Sequence, residues 1–295
     1  MKDTFSSYHP IINFAFFCAV ILCSMIFLHP VYLAISMAGA ISYSIFLNGR
    51  KALKFLFIFL MPMMLIAGLI NPLFNHRGVT ILGYINDNPV TLESIYFGIA
   101  VGVMFGAVIM WFSCYNSVMT TDKFTYLFGR IIPALSLILS MVMRFVPKFK
   151  TQIKIISNGQ KCIGRDIRTG SLTDRARHGI KILSIMVTWA LENAIETADS
   201  MRSRGYGLHG RTNFSIYRFD ARDTVAFGSL ILFIILMASG AILRLNTVQY
   251  FPSASIDEVT PLGIVIFAGY FLLCFAPVIL NVMEAIKWQH LQSKI

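Results

Sequence analysis

The sequence predicts an all-α, polytopic membrane protein: about six membrane-crossing helices plus a charged domain built on two long amphipathic helices. Three observations carry this expectation. Six windows are apolar over the thickness of a bilayer core. Only 13% of the 295 residues are charged while 56% are hydrophobic, whereas a soluble domain carries about 25% charged residues. Finally, the charge that exists is gathered in one segment, 115–223.

The apolar windows are Ile11–Leu28, Val31–Leu47, Ala52–Ile70, Ile95–Phe112, Val225–Leu243 and Pro261–Leu280. Each approximates the roughly 17 to 25 residues that a helix needs to cross hydrocarbon, where an open backbone would find no partner. Lys54 alone interrupts them with a charge, close enough to a helix end to reach the interface. The first window has only Lys2 ahead of it and no Ala-x-Ala cleavage pattern after it, so it is expected to stay as a span and not to be removed as a signal peptide. His29-Pro30 then reads as a tight hairpin between the first two spans.

Loop charge gives the orientation. With the N-terminus cytoplasmic, residues 48–54, 115–223 and the C-terminal tail lie inside, and 71–93 and 244–260 outside. The inner side then holds 23 of the 25 basic residues and 10 of the 14 acidic ones, leaving Arg77 and Arg244 outside. This is the asymmetry of the positive-inside rule, seen also in the short loops, where Arg50 and Lys51 contrast with the nearly uncharged 71–93 loop. The expected organisation is therefore an N-terminal membrane domain (1–114, four spans), a cytoplasmic domain (115–223) and a C-terminal membrane domain (224–295, two spans), in the cell membrane of a prokaryote with both termini cytoplasmic. The net charge of +11 is a topology signal here, and nucleic acid is not an expected partner although a basic patch is its usual footprint.

The segment 115–223 is too long and too patterned for a connector. Ile131–Met143 is apolar but short, and reads as a buried or interfacial helix. After Pro147, the spacing of Phe149, Ile153, Ile156 and Ile163 predicts an amphipathic helix with Lys154, Lys161 and Arg165 off its apolar face. A second helix is predicted over Ile180–Arg204 from Ile180, Leu183, Val187, Ala190, Ala194, Ala198 and Met201, with Glu192, Glu196 and Asp199 on an acidic side and Gly205 as its stop. Two readings fit such a pair: basic amphipathic helices on anionic lipid, or helices that dock a soluble partner and present an arginine at each end.

Several motifs can be weighed on their chemistry. Gly159-x-x-x-x-Gly164-Arg165-Asp166 has P-loop spacing, but Arg replaces the phosphate-binding Lys and Asp replaces the metal-binding hydroxyl, so no nucleotide and no cofactor is expected on this chain. Asp220-Ala-Arg-Asp223 is reminiscent of metal-diphosphate chemistry in a membrane transferase, against pairing with Arg218 and Arg222. Cys18, Cys23, Cys114, Cys162 and Cys274 lack any C-x-x-C spacing, so no metal site is expected. A secondary transporter would place ionisable groups at mid-membrane, and the six windows hold almost none. Ser94, Gly98, Gly102 and Gly106 repeat every four residues, a flat stripe suited to close helix packing within the chain or to contact with a membrane partner.

Four stretches resemble the transmembrane component of energy-coupling factor transporters, the modular ATP-driven micronutrient importers. They are Asn71-Pro72-Leu73-Phe74-Asn75, Arg144-Phe145-Val146-Pro147, Leu191-Glu192-Asn193-Ala194, and Ala198-Asp199-Ser200-Met201-Arg202-Ser203-Arg204-Gly205-Tyr206-Gly207, followed by Arg211-Thr212. The resemblance implies a non-catalytic scaffold whose two long cytoplasmic coupling helices seat on two ABC-type ATPase subunits, while its membrane part holds a separate substrate-binding subunit. It further implies that Ser203, Arg204 and Gly205 form the second coupling motif and Gly164, Arg165 and Asp166 the first. There the family prefers Ala-Arg-Gly or Ala-Arg-Ser, and Arg168 is the alternative one turn on. In the fourth span, Gly98, Gly102 and Gly106 would serve helix packing or contact with the substrate-binding subunit.

Overall fold

The computed structural model describes residues 3–85, 88–129, 133–208, 217–256 and 260–292. It divides into two compact units, one of residues 1–124 and 217–295, the other of residues 125–216. Arg211-Thr212 lies outside the described residues.

Helices of the first unit start where their caps dictate. His9 and His29 stand before Pro10 and Pro30, and each accepts the second backbone N–H of the helix it opens through Nδ1, at 3.3 and 3.2 Å. Proline fits there because the first helical N–H needs no partner. The resulting helices are α1 (Pro10–Ile26) and α2 (Pro30–Asn48). Next come α3 (Arg50–Phe55), a π turn over Leu56–Leu60 and α4 (Met61–Phe74), which together run as one helical rod. Thr91 caps α5 (Leu92–Val118), and α6 (Thr121–Gly129) follows. After the second unit come α9 (Ala221–Ile242) and α10 (Pro261–Gln292).

Five of these rods, α2, the α3–α4 rod, α5, α9 and α10, are long and apolar enough to cross a bilayer. At 17 residues, α1 sits at the lower end of the roughly 17 to 25 that suffice. All six expected windows are therefore helical, and several overrun at their ends, most of all α5, which continues to Val118, and α10, which continues to Gln292. The 71–93 loop, read as a plain connector, contains a hairpin of β1 (Ile81–Ile85) and β2 (Asn88–Thr91). A second, minimal hairpin pairs β3 (Val248–Gln249) with β4 (Ser255–Ile256).

In lipid, apolar side chains gain nothing by leaving the solvent, so helices associate through close packing and hydrogen bonds. Both are present. Trp111 on α5 donates its indole N–H to Ser36 on α2 (3.0 Å), and the Ser36 and Ser24 hydroxyls lie 2.6 Å apart. Ser24, on α1, donates to the Val20 carbonyl (2.7 Å), which leaves its oxygen to accept from Ser36 and from Tyr270 of α10 (3.2 Å). Four helices thus share one buried polar chain, surrounded by Phe16, Phe17, Tyr32, Tyr43 and Met110.

The small-residue stripe has a definite use. Gly98, Gly102 and Gly106 are buried under α4, and a methyl group added to Gly98 would stand 2.7 Å from the Gly68 carbonyl oxygen. Added to Gly102 it would stand 2.8 Å from the Met64 carbonyl oxygen, and added to Gly106 it would stand 2.7 Å from the Met64 sulfur. Away from this contact and from buried Ala52, Leu56 and Leu60, the rod exposes much of its surface, Ile58 at 74% and Leu69 at 69%, as a lipid-facing helix does. Replacing Gly102 by Val is therefore expected to cost about 1–3 kcal/mol through overpacking against rigid backbone. Gly83→Ala, whose added methyl meets open space, serves as control. Thermal unfolding in detergent reads the difference, and equal midpoints would show that α4 is not held by this contact.

Candidate functional site

Most of the second unit is two helices, α7 (Pro133–Cys162) and α8 (Leu172–Ser203). The break expected at Pro147 does not occur: α7 runs through it as one helix. Proline lacks the N–H that would bond the Met143 carbonyl four residues back, yet the helix continues; the Thr151 hydroxyl donates to the Pro147 carbonyl itself at 3.1 Å. The apolar run 131–143 therefore belongs, from Pro133 onward, to the same helix as the amphipathic stretch and is not a separate element.

Helix α8 starts eight residues before the expected Ile180. Its start is written in Ser171-Leu-Thr-Asp174: the Ser171 Oγ accepts the Asp174 N–H (3.3 Å) and donates to the Asp174 carboxylate (2.6 Å). This is a serine cap with an acid three residues on. That signal was available in sequence.

The two helices meet at an aromatic contact. Phe149 packs edge-on against Trp189, with centroids 5.6 Å apart. Lys148 lies 5.2 Å from the Trp189 ring centre and donates to the Asn193 side-chain oxygen at 2.6 Å. Ile182 and Met186 are buried, and Phe145, Phe149, Ala190, Ala194 and Met201 line a groove of about 380 Å3 between the helices. The expected apolar stripe of α8 holds toward its C-terminal end, where Ala190, Ala194, Ala198 and Met201 line this groove, and is corrected at its start. Ile180, Leu183 and Val187 are exposed, as are Leu191 and Ile195, while Ile182, Met186, Trp189, Asn193 and Thr197 turn inward. Both sets step by three and four residues, so each keeps to one face of a helix with 3.6 residues per turn; at the start of α8 the face turned inward is the one through Ile182 and Met186. On α7, Phe149 and Ile156 are half-buried and Ile153 is exposed, as is Ile163 in the turn that follows.

Both helices end in the same backbone device. At the end of α7, Gly164 takes φ +79°; its N–H donates to the Lys161 carbonyl (3.0 Å) and the Arg165 N–H to the Gln160 carbonyl (2.9 Å). At the end of α8, Gly205 takes φ +80°, its N–H bonds the Arg202 carbonyl (3.0 Å) and the Tyr206 N–H the Met201 carbonyl (3.0 Å). These paired bonds are the Schellman closure, which needs a left-handed residue and so favours glycine. Superposing the glycines shows a difference of register. Arg204 precedes its glycine, whereas Arg165 follows; exposed Ile163 stands where Arg204 does, and exposed Tyr206 where Arg165 does. The two arginines are thus exposed at two helix ends of like geometry but leave from opposite sides of the turn. Ser203, just before, returns its hydroxyl to the Ser200 carbonyl (2.9 Å).

Asp166 is engaged locally. Its carboxylate accepts the Arg168 backbone N–H (3.1 Å) and lies 3.5 Å from Lys161 Nζ. That N–H first, and the neighbouring Lys161 and Arg168 charges after it, pull the carboxyl below its ordinary value. Arg175 of α8 ties the same loop down by donating to the Ile167 carbonyl (2.8 Å). Arg168, the alternative to Arg165, sits exposed in this loop.

Other motifs lose their catalytic reading. Gly159 lies within α7, so the P-loop-like spacing is helical and offers no phosphate cradle. Asp223 is 3% exposed; its two oxygens accept the backbone N–H groups of His9 (3.3 Å) and Asp220 (3.2 Å). The pair caps α9 as a reciprocal box in place of the expected pairing with Arg218 and Arg222, and Arg222 lies over the Tyr8 ring at 4.5 Å. A carboxylate closed in this way presents no open face to a metal diphosphate.

No family model matches the chain. It is similar to the energy-coupling factor transporter transmembrane protein EcfT of Leuconostoc gelidum subsp. gasicomitatum, 34% identical over 109 residues, which is 37% of this chain and 41% of that protein. It is likewise similar to EcfT of Lactobacillus helveticus, 32% identical over 104 residues, 35% of this chain and 38% of that protein. EcfT 1 of Listeria monocytogenes is 27% identical over 215 residues, 68% of this chain and 76% of that protein. At 32–34% identity the chain spans about two fifths of the length of the curated relatives it matches. Over these stretches the chain, with its apolar spans and two glycine-closed helix ends, is similar to the EcfT transmembrane proteins of energy-coupling factor transporters.

Proposed function

We propose that the chain is the membrane scaffold of a multi-subunit, ATP-driven importer of micronutrients, either vitamins or metal ions. Two cytoplasmic ABC-type ATPase subunits take the ends of α7 and α8, and a separate membrane-embedded subunit binds the substrate. The chain itself hydrolyses nothing. It lies in the cell membrane of a prokaryote with both termini cytoplasmic, and residues 115–223 are its cytoplasmic part, between membrane domains 1–114 and 224–295.

One observation supports this reading most: two helices close in the same glycine turn and each leaves an exposed arginine there. A guanidinium is a fixed fork that matches a carboxylate at two points. An arginine anchored at a rigid helix end therefore converts movement of an acidic partner into movement of the helix. In this assignment Arg204, set between Ser203 and Gly205, engages one ATPase, and Arg165, with Gly164 and Asp166, engages the other.

Purification of the tagged chain from its native membranes tests the assembly. Two ATPase copies and a small membrane subunit are expected in stoichiometric yield, and a chain purifying alone with transferase or uptake activity would overturn the proposal. Truncating one member of a buried charge pair costs about 2–5 kcal/mol, so Arg204→Ala is expected to reduce ATP-dependent uptake by about tenfold or more. Arg165→Ala should act likewise, with the protein still in the membrane; unchanged uptake in the Arg204 variant would count against the coupling role.

The turn itself gives an internal comparison. Gly205→Ala forces a side chain into the left-handed region and is expected to destabilise the helix end by about 1–2 kcal/mol. Gly159→Ala, in the last turn of α7 with open space around it, is expected to stabilise by up to about 0.5–1 kcal/mol. Opposite shifts of the unfolding midpoint check both, and only Gly205→Ala should lower uptake.

A further inference from the structure

The residues ahead of α1 do more than lead into the membrane. Asp3 accepts from Asn281 of α10 (2.6 Å) and from the Tyr43 hydroxyl of α2 (2.8 Å), and Asn281 in turn accepts the Thr4 N–H (2.7 Å). Phe5 is buried among Phe16, Phe17 and Tyr43. This short segment is therefore fastened to the helices of the membrane unit.

The same segment grips both places where the chain leaves that unit and returns to it. On the outgoing side, Lys123 of α6 is 5% exposed. Its ammonium donates to the Ser6 carbonyl, to the Ser6 hydroxyl (3.0 Å) and to the Val118 carbonyl at the end of α5 (3.1 Å). On the returning side, Asp223 accepts the His9 N–H (3.3 Å) and the His9 ring packs edge-on to Phe219 at 5.1 Å. Arg222 covers the Tyr8 ring and donates to the Ser7 hydroxyl at 3.5 Å.

A lysine is a costly choice for such a place. Burial alone pulls its pKa below the ordinary value, with Asp3 opposing, and an apolar side chain would fill the space without that penalty. What the ammonium adds is direction, since three oxygens fix where Ser6 lies relative to the end of α5.

We propose that Asp3–His9 is a clasp that holds the outgoing and returning connections of the 125–216 unit to the membrane helices, with Lys123, Asp223 and Arg222 as its positioning residues. It rests on the scaffold function given above: displacement driven by ATPase subunits enters the membrane helices through these two connections, and does so only while both are fastened to one segment. No other function is assigned to residues 3–9.

Hydrogen exchange on the whole complex, purified from native membranes into nanodiscs, tests this without knowledge of the transported substrate. The probe is ATP with vanadate, which traps an ATPase after one turnover. In the unaltered complex, trapping is expected to change exchange at 3–9, at the start of α9 and in α10. With Lys123→Met, ATPase subunits should stay bound in full and hydrolysis should continue, while the change in α10 is lost. The same exchange response in Lys123→Met as in the unaltered complex would overturn the proposal, and so would joint loss of ATPase binding and hydrolysis, which marks a purely structural residue. Should Lys123→Met fail to reach the membrane, Arg222→Gln, on the exposed side of the clasp, decides by the same two readings. A chain that brings down no ATPase at all removes the scaffold function itself, a result distinct from either of these.

Discussion

The Ser36 hydroxyl is the point on which the membrane unit depends. It receives the Trp111 indole N–H from α5 and joins Ser24 of α1, which Tyr270 of α10 also reaches. In water such a network would rank below the apolar core around it. In lipid the ranking changes, because side chains exposed to acyl tails are already in an apolar solvent while an unpaired hydroxyl or indole is not. Three helices, α1, α5 and α10, converge on α2, and the donors and acceptors of this chain are complete only when all four are present.

The clasp at the N-terminal segment is a second polar knot of the same kind, at the end of the helices and not at their middle. Together the two knots explain why so few polar residues suffice in so apolar a chain. Among the described residues, the buried charged groups each have a partner set that fixes a direction: Lys123 between Ser6 and Val118, Asp223 between His9 and Asp220, and Glu93 on the Thr80 N–H and hydroxyl. The scaffold role proposed for the chain asks for this combination, helices rigid among themselves and joined at defined points to the segment that carries α7 and α8.

Much of the fold was legible because bilayer thickness writes itself as length. Every apolar window became a helix, and the errors lie at ends, where α10 continues twelve residues past Leu280 because amphipathic sequence carries the helix beyond the apolar run. The 81–91 hairpin went unread since its two strands are short and lack clean alternation. In the second unit, Pro147 misled because a proline usually stops a helix, while the Ser171–Asp174 cap was readable and passed over. The α8 stripe held from Ala190 to Met201 and failed at its start, where apolar residues lie on more than one face and spacing does not say which of them turns inward. At the site, glycine beside arginine correctly marked two helix ends. Sequence spacing alone could not reveal that Gly164 and Gly205 are the equivalent residues, and that Arg165 and Arg204 are therefore not equivalent to one another.

The contact between α4 and α5 has a consequence of another sort. It is made by side chains that are missing: Gly98 and Gly102 let backbone meet backbone at Gly68 and Met64. A contact of this kind can be lost by any single replacement at these glycines and improved by none, since every alternative residue adds atoms where none fit. Such a surface has no gradient along which it can be adjusted. The helix pair it joins is inherited whole or not at all, while the lipid-facing side of α4, a few ångströms away, is free to change its residues at almost no cost.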